Sequence, residues 1–72
     1  MLGNINKAIQ WYKKAAIEKN DTTAMNNLGI TYENKYDYKK AVYWYKKAAI
    51  SGHLQAEKSL ERLYNSGHIS RY

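Results

Sequence analysis

The sequence contains no cysteine, no proline and no phenylalanine. Without cysteine the chain can form no disulfide, no thiolate metal site and no cysteine nucleophile. Hydrophobic residues make up 44% of the chain, and in the absence of phenylalanine this total depends on alanine and on eight tyrosines. We therefore expect a thin core built from small side chains and amphipathic rings.

Acidic residues and long apolar runs are also scarce. Six Asp and Glu stand against twelve Lys and Arg, which gives a net charge of +6. This charge favours acidic partners through long-range attraction, and it also keeps a small domain in solution. No stretch approaches the roughly 18 consecutive apolar residues of a spanning helix, and the first four residues lack the layout of a signal peptide. We expect a soluble protein and favour the cytoplasm, although a chain without cysteine fits any compartment.

The chain repeats itself. The segment Lys7–Ile17 recurs as Lys40–Ile50 with nine of eleven residues identical, at an offset of 33. A second kind of segment recurs at an offset of 32, because Ala24, Leu28 and Tyr32 correspond to Ala56, Leu60 and Tyr64. Periods of this size are typical of supersecondary units that stack and bury one face against their neighbours.

Both kinds of segment predict helices, since their apolar residues recur at intervals of three and four. We expect four helices near residues 4–19, 22–34, 38–51 and 54–66. Asn4 and Asp37 precede their helices as N-caps would. Gly52 and Gly67 follow helical runs, as left-handed C-terminal residues do. The short connections predict antiparallel neighbours.

Two related families share this pattern. Met25-x2-Leu28-Gly29-x2-Tyr32, followed by Ala41-x3-Tyr45 and Ala48, resembles the tetratricopeptide repeat, with Met25 in place of the family's tryptophan and His53 in place of its proline. The run from Trp44 to Gly52 resembles the Sel-one-like variant, whose second helix closes on glycine. The resemblance implies an all-α fold of antiparallel helix-turn-helix repeats, stacked as a short right-handed solenoid of four helices. It divides residues 1–72, as a single module, into a half repeat 1–20, a full repeat 21–52 and a half repeat 53–72.

The small residues of this pattern have an expected role in packing. Gly29 and Ala41 are predicted to meet where two helices cross closely. The rings of Tyr32, Tyr45 and Tyr64 should fill the space around the crossing, with their hydroxyls near solvent or a carbonyl. Half repeats at both ends leave apolar surface bare. The chain is then either a fragment of a longer solenoid or a unit that associates head to tail with its own copies.

The resemblance also implies a protein-interaction scaffold. First-type helices of tetratricopeptide proteins line a concave groove that receives a peptide, and matching positions here carry polar side chains that could bind a peptide backbone or an acidic group. Ordinary solvated residues are the alternative interpretation of the same positions. The candidate partner-binding residues are Asn26, Asn27, Ile30, Glu33, Asn34, Lys58 and Arg62.

Other functions have weaker support. Nucleic-acid binding is the alternative, because the outer helices combine lysines with the rings of Trp11, Trp44, Tyr38 and Tyr43. Membrane binding is not expected, since no helix opposes a wide bulky apolar face to its lysines. His53 and His68 each follow a Ser-Gly pair at a helix end, with no cysteine or acidic cluster at ligand spacing. We therefore expect no enzymatic activity, no metal and no cofactor.

Overall fold

The computed structural model describes residues 2–68, which form four α-helices. The helices are α1 (Leu2–Glu18), α2 (Thr22–Asn34), α3 (Tyr38–Ile50) and α4 (Leu54–Asn65). The predicted all-α architecture is confirmed, and each predicted helix end lies within two residues of the observed one. No helix within residues 2–68 has both the length and the apolar character that crossing a bilayer requires.

All three connections between helices have the same three-residue form. The first residue after each helix is followed by a residue with a left-handed backbone, and the next residue is the N-cap of the following helix. The left-handed residues Asn20, Tyr36 and Gly52 have φ angles of 53°, 64° and 93°. A single left-handed residue is enough to turn the chain, so the residue after it can already be the N-cap of the next helix. The three connections are Lys19-Asn20-Asp21, Lys35-Tyr36-Asp37 and Ser51-Gly52-His53.

The N-caps agree with the sequence prediction in one case and differ in others. Asp37 accepts a hydrogen bond from the Lys40 backbone N–H at 3.3 Å, as predicted. Asn4 was predicted to cap α1, but the helix already includes Leu2, so Asn4 lies inside it and the prediction is wrong. His53 was interpreted as a helix-stop residue, whereas its Nδ1 accepts from the Ala56 N–H at 3.3 Å and caps α4. The prediction for the C-terminal end of α4 is also confirmed, because Gly67 after this helix has a left-handed φ of 81°.

The structure explains why the repeat offset changes from 33 to 32. Ile17 corresponds to Ile50, yet α3 ends at Ile50 while α1 continues for one more residue, to Glu18. The equivalent carbonyls of Ala15 and Ala48 nevertheless accept from the backbone N–H of the next N-cap, at 3.2 Å and 3.0 Å. The extra residue is therefore absorbed at the end of α1, before the connection begins.

The core is thin and depends on a close approach between α2 and α3, the most extensively packed pair of helices. A Cβ added to Gly29 would lie 2.5 Å from both Cδ1 and Cε1 of Tyr45. The sequence analysis predicted that Gly29 meets Ala41 at the crossing. Ala41 is buried, but the atoms nearest to a Cβ added at Gly29 belong to the ring of Tyr45. The larger side chains that complete this core with no exposed surface are Leu28 and Leu63.

Candidate functional site

The inner surface of the molecule is formed by α2 and α4. These two helices contact each other, whereas no Cα of α1 lies within 8 Å of a Cα of α3 in the part of the chain that the structure describes. The helices are therefore closer together on the α2 and α4 side, which is the side that the sequence analysis predicted to line a groove. We use the term inner groove for the surface of α2 and α4 that faces this side.

The predicted groove residues differ widely in exposure. Asn26 is buried, with 8% of its surface exposed. Asn27 and Glu33 are half-buried, and the other four predicted residues are exposed. These four are Ile30, Asn34, Lys58 and Arg62.

Glu33 links three helices across the groove. Its Oε2 accepts from Nη1 of Arg62 at 2.6 Å, and its Oε1 accepts from Nη2 of Arg62 at 2.8 Å. The same Oε1 accepts from the hydroxyl of Tyr45 at 2.8 Å. Glu33 belongs to α2, Tyr45 to α3 and Arg62 to α4, and we call these three residues the groove link. A two-pronged guanidinium contact depends on direction as well as distance, so the link favours one orientation of α4 against α2.

The sequence analysis did not identify Tyr45 as part of this site, and it placed the tyrosine hydroxyls near solvent or a carbonyl. The Tyr45 hydroxyl instead donates to a carboxylate. The sequence did indicate that the Tyr45 hydroxyl needs a hydrogen-bond partner, because the tyrosine was predicted at a core position. The nearest candidate acceptor was not evident, since twelve residues separate Glu33 from Tyr45 and the helix pairing decides which side chains meet.

The groove link shifts the pKa of each member. Hydrogen bonding by Arg62 lowers the pKa of Glu33 from its ordinary 4.5, and this effect together with the Tyr45 bond outweighs the opposing effect of burial. Burial raises the pKa of Tyr45, and donation to the Glu33 carboxylate raises it further. The hydrogen bonds to Glu33 raise the pKa of Arg62. The ionised carboxylate and the neutral phenol are therefore the forms that the fold stabilises.

Acid should weaken the fold through Glu33. Because the pKa of Glu33 is lower in the folded chain, its ionisation contributes stability above the unfolded pKa, and this contribution is lost as the pH falls through the folded pKa. We expect the free energy of unfolding, measured by urea denaturation, to fall as the pH is lowered below about 4.5. Glu33→Gln should flatten this slope, whereas Glu61→Gln, at an exposed position of α4, should retain it. Equal slopes in the wild type and in Glu33→Gln would contradict the assignment.

Asn26 contains an unpaired polar atom. Its side-chain Oδ1 is buried and accepts no hydrogen bond from any described residue. A buried acceptor without a donor costs about 1–3 kcal/mol, and most buried polar groups in folded proteins have partners.

Not all the aromatic rings of the outer helices are accessible. Trp44 is 7% exposed, so its ring is not available for stacking, while Trp11 and Tyr43 are exposed. Tyr38 is half-buried and stacks on the His68 ring, with 4.5 Å between centroids. The row of four rings that supported the nucleic-acid alternative is therefore reduced to two exposed rings.

Comparison with known proteins agrees with this architecture. A family model described as Sel1 repeat matches residues 1–20 and 22–53, which is more than half of the chain. No curated protein and no solved structure matches the chain.

Proposed function

Because the chain belongs to the Sel1 repeat family, we propose that it holds a peptide segment of a partner protein in the inner groove of α2 and α4. Repeats of this family generally mediate protein–protein interaction. The observation that supports this particular surface is Asn26, whose buried Oδ1 finds no donor among the described residues.

A bound peptide would supply what Asn26 lacks. Rotation of this side chain towards the groove would let its amide accept from, and donate to, the backbone of an extended peptide. The half-buried Asn27 lies next to it, and the exposed Ile30 offers apolar contact one turn further along α2. Polar groups that fix a backbone beside an apolar contact suit peptide recognition.

The charges of the groove favour an acidic partner contacted mainly through Lys58. Arg62 was predicted as a contact for acidic groups, but its guanidinium is paired with Glu33 inside the chain. Lys58 is exposed, and within residues 2–68 the structure gives it neither a hydrogen bond nor an ion pair. The net charge of +6 adds long-range attraction for the same class of partner.

Asn26→Leu should separate binding from stability. The change removes the unpaired acceptor and keeps a buried side chain with the same number and branching of heavy atoms, so we expect the free energy of unfolding to stay equal or rise by about 1 kcal/mol. Affinity for a groove partner should fall at least about tenfold, since the contact to the peptide backbone is lost. Urea denaturation measures the first quantity and titration calorimetry the second.

Asn6→Leu is the matched control, because Asn6 is exposed on α1, outside the inner groove, and the change should alter stability by less than about 0.5 kcal/mol. A loss of more than 1 kcal/mol in Asn26→Leu would show that Asn26 has a structural hydrogen bond, and would remove the main support for the groove.

Affinity capture from nuclease-treated lysate tests the proposed function directly. We expect a protein to be retained by the wild type and lost with Lys58→Glu or Asn26→Leu, while Lys46→Glu, on the outer helix α3, retains it. Capture that disappears with nuclease and ignores Lys58→Glu would contradict the groove and would indicate nucleic-acid binding by the outer helices.

A further inference from the structure

The three connections between helices place different residues at the same left-handed position. Asn20 and Gly52 occupy it in the first and third connections, and these are residue types that adopt a positive φ readily. Tyr36 occupies it in the second connection, with φ of 64°. A bulky side chain disfavours this conformation. The second connection would therefore form more easily with asparagine or glycine in place of Tyr36.

The ring of Tyr36 contributes little to the core. Tyr36 is 79% exposed, and its ring makes an edge contact with the ring of Tyr38, with 6.5 Å between centroids. Burial therefore does not explain why a tyrosine stands at a left-handed position. Residues held in disfavoured backbone conformations are concentrated at functional sites, so this one is a candidate for binding.

Tyr36 lies directly beyond the groove link. Its backbone N–H donates to the carbonyl of Glu33 at 2.9 Å, so it follows Glu33 by one turn at the end of α2. The ring of Tyr38, which Tyr36 contacts, stacks on His68, and His68 is close enough to Glu33 to act on it electrostatically. We call Tyr36, Tyr38 and His68 the ring cluster. It lies at the end of the inner groove where α2 and α4 both terminate.

The charges around the ring cluster restrict what can contact Tyr36. The face of a tyrosine ring attracts cations and other aromatic rings. Lys35 and Lys39 are exposed on either side of Tyr36 in the sequence and repel a cation. Asp37 offsets them little, because its carboxylate caps α3 and lies 3.8 Å from Nζ of Lys40. An aromatic side chain with an acidic neighbour satisfies both conditions.

We infer that Tyr36 binds an aromatic side chain of the peptide proposed for the inner groove, and that Lys35 and Lys39 attract an acidic side chain next to that ring. The inference rests on the proposed function and specifies its partner further. A rise of about 1.5 Å per residue places Tyr36 about 15 Å beyond Asn26 along α2. An extended peptide covers this distance in about four to five residues. The aromatic residue should therefore stand about four to five positions from the residue that Asn26 holds.

Selection from a random peptide library displayed on phage tests this motif without a known partner. We expect the wild type to enrich peptides in which an aromatic residue stands beside an acidic one. Tyr36→Gly should still enrich acidic peptides but should lose the preference for an aromatic residue. For a synthetic peptide selected by the wild type, Tyr36→Gly should lower the affinity at least about tenfold. Tyr36→Phe keeps the ring and should retain most of the affinity.

The thermal stability of the same variant separates binding from folding. Glycine adopts a positive φ without strain, so Tyr36→Gly should raise Tm by up to about 5 °C. Loss of a contact that the fold needs would lower Tm instead. Asn20→Gly is the matched control, because it changes the equivalent left-handed residue of the first connection and should leave peptide affinity unchanged. Tyr43→Ala removes a tyrosine that is 55% exposed on the outer helix α3, and it should also leave affinity unchanged.

Four results distinguish the inference from its alternatives. A selected peptide that Asn26→Leu releases and Tyr36→Gly retains would overturn the inference and leave the proposed function in place. A lower affinity and a lower Tm together in Tyr36→Gly would also overturn it, since Tyr36 would then act through the fold. Tighter binding of a single-stranded oligonucleotide than of any selected peptide, lost with Tyr36→Gly, would make a base the occupant. If the wild type enriches no peptide, or if Asn26→Leu and Lys58→Glu release none, the proposed function is wrong and the inference fails with it.

Discussion

Gly29→Ala should lower the free energy of unfolding by about 2 kcal/mol, a large loss for the addition of a single methyl group. The added Cβ would lie 2.5 Å from two atoms of the Tyr45 ring and 2.9 Å from a third. The ring cannot retreat, because it has no exposed surface. Overpacking of this kind costs about 1–3 kcal/mol and sometimes more, while alanine in a helix regains up to about 1 kcal/mol over glycine. Urea denaturation measures the balance.

The ring itself provides the control for this prediction. In a Tyr45→Leu background the flat ring is gone, so Gly29→Ala should become neutral or stabilising, and the difference between backgrounds gives the steric contribution. Gly52→Ala tests backbone strain instead of steric overlap. Nothing lies within 4 Å of a Cβ added at Gly52, but the φ angle of this residue is +93°. If Gly29→Ala is as stable as the wild type in the presence of Tyr45, α2 and α3 do not pack as closely as the structure shows.

Glu33→Ala should cost about 2–3 kcal/mol and loosen α4. The change removes the acceptor of the Tyr45 hydroxyl, which belongs to a fully buried residue, and an unpaired buried donor costs about 1–3 kcal/mol. It also removes both hydrogen bonds to Arg62. That side chain is 55% exposed while Glu33 is 19% exposed, so water replaces much of the lost interaction and the ion pair adds at most about 1 kcal/mol. Amide hydrogen exchange should accelerate in α4 more than in α1.

Glu61→Ala is the matched control, since it removes an exposed carboxylate that forms no ion pair within the described chain, and its effect should stay below about 0.5 kcal/mol. Tyr45→Phe should cost less than Glu33→Ala, and the double variant should cost less than the sum, because both remove the same hydrogen bond. Strict additivity would mean that the Tyr45 hydroxyl and Glu33 do not interact.

The arrangement of helices could be predicted because the repeat, the periodicity and the caps all indicate the same elements. Local rules failed where two signals were equivalent. Asn4 and Asp37 occupy the same position in the repeat, yet only Asp37 follows a left-handed residue that ends a preceding helix. The cap by His53 was missed because imidazole is a less usual capping group than the Ser, Thr, Asp and Asn side chains that the rule names.

The candidate site was less predictable than the fold, because it depends on pairs of residues. The spacing of each helix predicted which residues face the groove, but not which of them use their charge within the chain. Arg62 looked like a ligand for acidic groups until its pairing with Glu33 was seen. The burial of Asn26 was equally hidden, since neighbouring Asn27 has the same side chain and is half-buried. Contact between α2 and α4 decides the pairing of Arg62.

The uniform three-residue connections have a consequence for how such a chain can change length. Every joint delivers the backbone into the next helix by the same sequence of one residue after the preceding helix, a left-handed residue and an N-cap. Cutting the gene at two equivalent joints and duplicating what lies between them would require no new turn geometry, whereas a single residue added within a joint would displace the following N-cap. We therefore expect the molecule to tolerate duplication of whole units, and an extra residue at a helix end such as that of α1, but not an insertion within a joint, the reverse of proteins with long irregular loops.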